Sequence, residues 1–120
     1  MSNISQIPND ILDRIAEDER EYDESGRGDK VTILGLYGYS ERAEKKLLTH
    51  GFRVNDASSI LSQEHFDFST STGSQIAVGD SERGFGLVVF RARLNKPPDF
   101  DVITGYTIPR PRRGKHRKRR

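Results

Sequence analysis

The sequence predicts an α+β domain: a small, mostly antiparallel sheet of about four strands with two or three helices packed on one face. Three observations lead there. Apolar residues recur at helical spacing in the first half, and apolar and polar residues alternate in the last third. The elements then fall in the order helix, strand, helix, helix, strand, strand, strand, tail. At 120 residues the chain has room for one domain. With 32% hydrophobic residues, 32% charged residues and a mean hydropathy of -0.75, its core is small and part of its length is tail.

Residues 8–20 read as a short amphipathic helix, with Asn9 as N-cap, Asp10 and Asp13 at its positive end, and Ile11, Leu12 and Ile15 as a narrow apolar stripe. Residues 21–30, Glu-Tyr-Asp-Glu-Ser-Gly-Arg-Gly-Asp-Lys, have linker composition. Lys30 to Tyr37 reads as a first strand. Ser40 then caps a helix that runs to His50, with Gly51 as its stop and Ala43, Leu47 and Leu48 as its buried side. A second short helix starts at Asn55 or Asp56, with Val54, Ala57, Ile60 and Leu61 on one side. Residues 62–74 are mixed and end in a loop rich in Ser and Thr. Gln75–Gly79, Phe85–Arg93 and Phe100–Ile108 read as strands, separated by a turn at Asp80–Gly84 and a loop at Asn95–Asp99, whose two prolines cannot donate to a ladder.

Charge is unevenly distributed behind a net +2. Residues 1–30 hold nine acids and four bases; residues 31–108 hold nine acids and eight bases; residues 109–120 hold eight bases and no acid. The last block repels itself and stays disordered alone. Arg110, Arg112, Arg113, Lys115, Arg117 and Lys118 suit phosphate binding, since each cation placed on a phosphate releases a counterion. The plainer reading is a solubilising end, or one that pairs with the acidic head. The division expected is therefore an acidic helical arm and linker (1–30), an α+β domain (31–109) and a disordered basic tail (110–120). The arm, at -5 and with a thin stripe, is expected to attach loosely and to fold back over cationic surface as an internal RNA mimic.

The absence of cysteine excludes disulfides, thiol catalysis and cysteine-based zinc sites. His50, His65 and His116 are too scattered to suggest a metal cluster, so neither metal nor cofactor is expected. No run approaches the roughly 18 apolar residues that span a bilayer, nothing resembles a secretory leader, and Met1-Ser2-Asn3 reads as a native start. A cytoplasmic protein without a membrane partner is the expectation. Gly79-Asp80-Ser81-Glu82-Arg83-Gly84 lacks the Lys-Ser/Thr ending of a phosphate-cradling loop and reads as a turn.

Side chains alternate on a strand, so Val88, Phe90 and Ala92 share one face while Leu87, Val89, Arg91 and Arg93 share the other. A symmetric loop at the prolines would set Phe90 opposite Ile103 and carry Thr104 and Tyr106 along the arginine face. That face suits RNA, with arginines on phosphates and an aromatic ring under a base; otherwise it is a solvated surface. His50, beside Lys45, Lys46 and Arg53, is placed to act as a general acid or base, or to complement its helix dipole.

The run Tyr39-Ser40-Glu41-Arg42-Ala43-Glu44-Lys45-Lys46-Leu47-Leu48-Thr49-His50-Gly51-Phe52, followed by Asp56-Ala57 and Ile60-Leu61, resembles the opening helices of BrnT-like proteins in the RelE-type toxin superfamily. Gln75–Gly79, Leu87–Phe90 and Val102–Thr104 resemble the three consecutive strands that follow in that fold, and the likeness covers roughly residues 31–113. The resemblance implies a metal-independent endoribonuclease toxin that cleaves mRNA or tRNA, on or off the ribosome, inhibits translation and is neutralised by a cognate antitoxin. It implies catalytic roles for His50, Arg91 or Arg93, and Thr104 or Tyr106; Lys45, Lys46, Arg53 and the tail are expected, from their charge, to bind RNA. Two features depart from the family pattern: the acidic extension and the long proline loop. The competing expectations are a non-catalytic RNA- or ribosome-binding protein, for which tail and sheet suffice, and an adaptor acting through the acidic arm. A nuclease needs His50 or a lysine within reach of Arg91; a binder does not.

Overall fold

The computed structural model describes residues 7–26, 28, 30–63, 67–70, 72–93 and 98–108. Among these, α1 spans Asn9–Ser25, β1 Val31–Leu34, β2 Tyr37–Ser40, α2 Glu41–Thr49, α3 Val54–Leu61, β3 Asp67–Ser69, β4 Gln75–Ser81, β5 Gly84–Ala92 and β6 Phe100–Thr107. The six strands form one mixed sheet in the order β1-β2-β6-β5-β4-β3, in which β2 runs parallel to β6 and every other pair is antiparallel. The α+β class is thus what the chain adopts. No described helix is long and apolar enough to cross a membrane.

Local chemistry explains most boundaries. The Ser40 hydroxyl accepts from the Ala43 N–H at 3.0 Å and opens α2, and Gly51, at φ +92, ends it one residue past His50. The Asp56 carboxylate accepts from the Arg53 N–H at 2.9 Å and opens α3. Two smaller expectations fail: Leu48, expected on the buried side of α2, is 60% exposed, and Pro8 stands at the N-cap of α1 with Asn9 as its first helical residue. Three elements differ more. The single strand expected over Lys30–Tyr37 is a hairpin, because Gly35 takes φ +61 and folds the chain back on itself. α1 continues five residues past residue 20, where Tyr22 docks on the sheet and its hydroxyl donates to Asp101 at 2.7 Å. β3 pairs with β4 across a segment of low strand character.

A larger correction concerns the layers. α2 and α3 cover one face, where Leu47, Phe52, Ala57 and Ile60 pack on Tyr39, Ala77, Val88, Phe90 and Val102. α1 covers the other, where Ile7, Ile15, Ile11 and Leu12 pack on Ile76, Leu87, Val89, Ile103 and Tyr106. The helices are therefore divided between both faces. β5 demands this, since Leu87 and Val89 are as apolar as Val88 and Phe90, and a strand apolar on both sides needs two covers. Ile15, 1% exposed, contributes roughly 1.5–3 kcal/mol to the docking.

Register is also split. Val89 pairs with Thr104 and Leu87 with Tyr106, as expected, but a bulge between Val89 and Phe90 sets Phe90 opposite Val102 and Arg91 opposite Asp101. Ile103 is the extra residue. The bulge puts Val102 in the core with Phe90 and Ile103 in the core under α1, the reverse of what one unbroken register would give, and turns Asp101 toward the arginine side.

Candidate functional site

β2 pairs with only Phe100, Asp101 and Val102 of β6, so from Ile103 onward β6 has no strand neighbour on that side. The C-terminal end of α2 fills the gap. His50 Nδ1 lies 2.8 Å from the Gly105 carbonyl oxygen, and since a carbonyl only accepts, Nδ1 carries the proton. The ring stacks on Tyr106, centroids 4.0 Å apart and planes at 26°. Burial lowers the His50 pKa, and the Gly105 bond only partly opposes that shift. At neutral pH the ring is therefore neutral, with Nε2 presenting a lone pair that has no partner among the described residues.

Around His50 runs an open groove lined by Glu21, Arg42, Lys45, Lys46 and Thr49. Arg42, Lys45 and Thr49 are exposed, and spacings of three and four residues put them on one side of α2. Lys46 is committed elsewhere: its ammonium lies 3.0 Å from Asp18 and 2.9 Å from Glu21. Burial would lower its pKa, but the bonds to Glu21 and Asp18 outweigh burial and raise it. The Tyr106 hydroxyl donates to the other Asp18 oxygen, and burial with that bond raises its pKa. Tyr106, 3% exposed, thus floors the site without opening to it.

The remaining sequence-predicted residues lie elsewhere. Arg91 donates to Ser74 Oγ at 2.9 Å from Nη2, pairs with Glu19 at 3.5 Å and with Asp23, and lies 5.4 Å from the Tyr22 ring centre. Arg93 pairs with Asp101 at 3.1 Å. The face expected to be open, cationic and hydroxylic is therefore covered by α1, and both arginines are held by carboxylates. Leu87, the partner of Tyr106, is four residues from Arg91 along β5, roughly 13 Å at a strand's rise. Arg91 and His50 thus do not form one centre, so the arrangement expected of a nuclease built around Arg91 is not met, and any chemistry at His50 draws its cations from α2 instead. Asp18 and Glu19, consecutive on α1 and about 100° apart around it, reach the two flanks separately. Thr104, opposite Val89 on the face that α1 covers, is fully buried and cannot meet a substrate. Arg53 is exposed at the start of α3 and does not line the groove. His65, Arg110, Arg112, Arg113, Lys115, Arg117 and Lys118 lie outside the described residues.

Arg42, Thr49 and the Gly105 carbonyl belong to the site but escape the sequence reading. The first two were accessible in principle, as helical neighbours of Lys45 and Lys46; the third has no sequence signal. Among the described residues no three His, Asp or Glu side chains come together as a metal-ligating group. The chain matches no protein-family model, no curated protein and no solved structure.

Proposed function

We propose that this chain is a metal-independent endoribonuclease whose general base is His50, acting in the cytoplasm as a translation-inhibiting toxin held in check by an antitoxin. One observation carries the catalytic part: a neutral imidazole pinned through Nδ1–H to Gly105, leaving Nε2 as a base beside exposed Lys45 and Arg42. Nε2 takes the proton of a ribose 2′-OH, and the 2′ oxygen attacks the adjacent phosphorus. The bond to the 5′ oxygen breaks, leaving a 2′,3′-cyclic phosphate and a 5′ hydroxyl. The Lys45 ammonium is the candidate donor to the leaving oxygen, and Arg42 the candidate partner for charge on the phosphorane. Tyr106 keeps the imidazole plane fixed from below. The toxin and antitoxin roles rest on the resemblance alone; over residues 41–107 two helices are followed by four strands, β3 to β6, of which the last three are those the resemblance expects.

The test is incubation of the full chain with a labelled RNA in excess chelator. Cleavage to cyclic-phosphate ends by the unaltered protein, reduced about 10²-fold or more in His50→Ala, is the expected result. Undiminished cleavage by that variant would remove His50 from the chemistry.

A second reading is favoured by the separation of Arg91 from His50. A non-catalytic RNA-binding protein needs no shared centre, and it would bind the same RNA and leave it intact.

A further inference from the structure

Four carboxylates of α1 sit on the groups of the sheet and α2 that a nucleic-acid backbone would engage. Asp18 meets Lys46 and Tyr106, Glu21 meets Lys46, and Glu19 and Asp23 meet Arg91. Each contact presents an acceptor oxygen to an ammonium, a phenol or a guanidinium, which is what a phosphate oxygen would present.

α1 is held differently along its length. Its first half is anchored by burial of Ile7, Ile11, Leu12 and Ile15, an interaction indifferent to polyanions. Its second half, Asp18 to Ser25, has Tyr22 as its only member in that apolar cluster and otherwise holds through polar contacts: the ion pairs above, the Tyr22 hydroxyl on Asp101 and the Thr70 hydroxyl on Glu19. Gly26 and Gly28 follow, both with left-handed φ, so a glycine-rich segment stands where that half would hinge away. Exchanging carboxylates for phosphates leaves Lys46 and Arg91 paired throughout, which spares the penalty of uncovering buried charge.

We propose that Lys46, Tyr106 and Arg91 form a binding surface for a single-stranded RNA backbone, occupied in the closed chain by the second half of α1 until RNA displaces it. The proposal rests on the RNA reading above, and it adds control of the same site. Lys46 lines the His50 groove, so releasing it from Asp18 and Glu21 gives that groove another cation.

The experiment uses the full chain and a fluorescent twelve-nucleotide oligouridine. On the unaltered protein, adding the oligonucleotide should raise amide hydrogen exchange over residues 18–25 and leave residues 9–15 protected. Glu19→Gln/Glu21→Gln/Asp23→Asn strips the carboxylates from Arg91 while Asp18 still holds Lys46, so it should bind about threefold tighter at low salt, with a log-affinity against log-salt slope steeper by about 0.7 for one freed cation. Adding Arg91→Ala to that triple variant should remove the added slope. Should the triple variant fail to fold, the exchange measurement on the unaltered chain decides. Binding with unchanged exchange over 18–25 overturns the proposal while leaving the RNA reading intact. No binding by either protein overturns both.

Discussion

Arg93 and Asp101 offer a direct test of whether the arginines of this sheet serve the fold or the substrate. Asp101 is 1% exposed, and Arg93 Nη1 lies 3.1 Å from its Oδ2, with the Tyr22 hydroxyl on the same oxygen at 2.7 Å. Arg93→Ala takes the Arg93 guanidinium from a buried carboxylate, a loss that costs about 3–5 kcal/mol when nothing else compensates. Tyr22 remains, and the Arg93 side chain keeps 18% of its exposure. Both reduce the penalty, to about 2–3 kcal/mol, or a fall in Tm on the order of 10–20 °C for a domain of this size. Urea and thermal unfolding of Arg93→Ala, Asp101→Asn and the double variant form a cycle. The double variant should be no less stable than Arg93→Ala, because an amide in place of the Asp101 carboxylate leaves no charge to strand. If Arg93→Ala unfolds within about 0.5 kcal/mol of the parent yet loses RNA cleavage, Arg93 faces substrate and the structural role assigned here is wrong.

Further expectations concern the site and its support. Burial lowers the His50 pKa below its ordinary 6.5, so the unfolded chain binds the extra proton first. The contribution of His50 to stability is therefore complete above that value and is lost as pH falls; urea midpoints measured from pH 7.5 to 5.0 should drop, and less so in His50→Gln. Cleavage should decline over the same window as the base is protonated. A Cβ on Gly105 would stand 2.7 Å from Leu47 and 2.9 Å from the Leu87 carbonyl, so Gly105→Ala should cost roughly 1–3 kcal/mol in denaturant titration and push α2, with His50, off β6. Removing residues 110–120 takes away eight positive charges; RNA affinity should fall and its salt dependence flatten in anisotropy titrations, with the thermal melt unchanged.

Local codes explain what was legible in the residues alone. Ser40 and Gly51 bracket α2 because a hydroxyl can cap an N-terminus and a glycine can take positive φ, and neither effect needs a distant partner. Runs rich in β-branched and aromatic residues over Phe85–Arg93 and Phe100–Ile108 placed β5 and β6 correctly, and His50 could be singled out from its place at the helix end beside two lysines. Tertiary structure decided the rest. The bulge at Ile103 depends on which core each side chain finds, and no pattern within β6 encodes it. Residues 21–25 look like linker and become helix because Tyr22 reaches Asp101, 79 positions away. The same acids that looked like a loose arm became partners of Lys46, Tyr106 and Arg91 once Ile15 docked on Leu87 and Val89. Composition and periodicity report which residues seek burial or charge, since those are properties of each side chain. Which group answers them is set by chain closure over dozens of residues, and the free edge of β6, where His50 meets Gly105, exists only after β2 has stopped pairing at Val102.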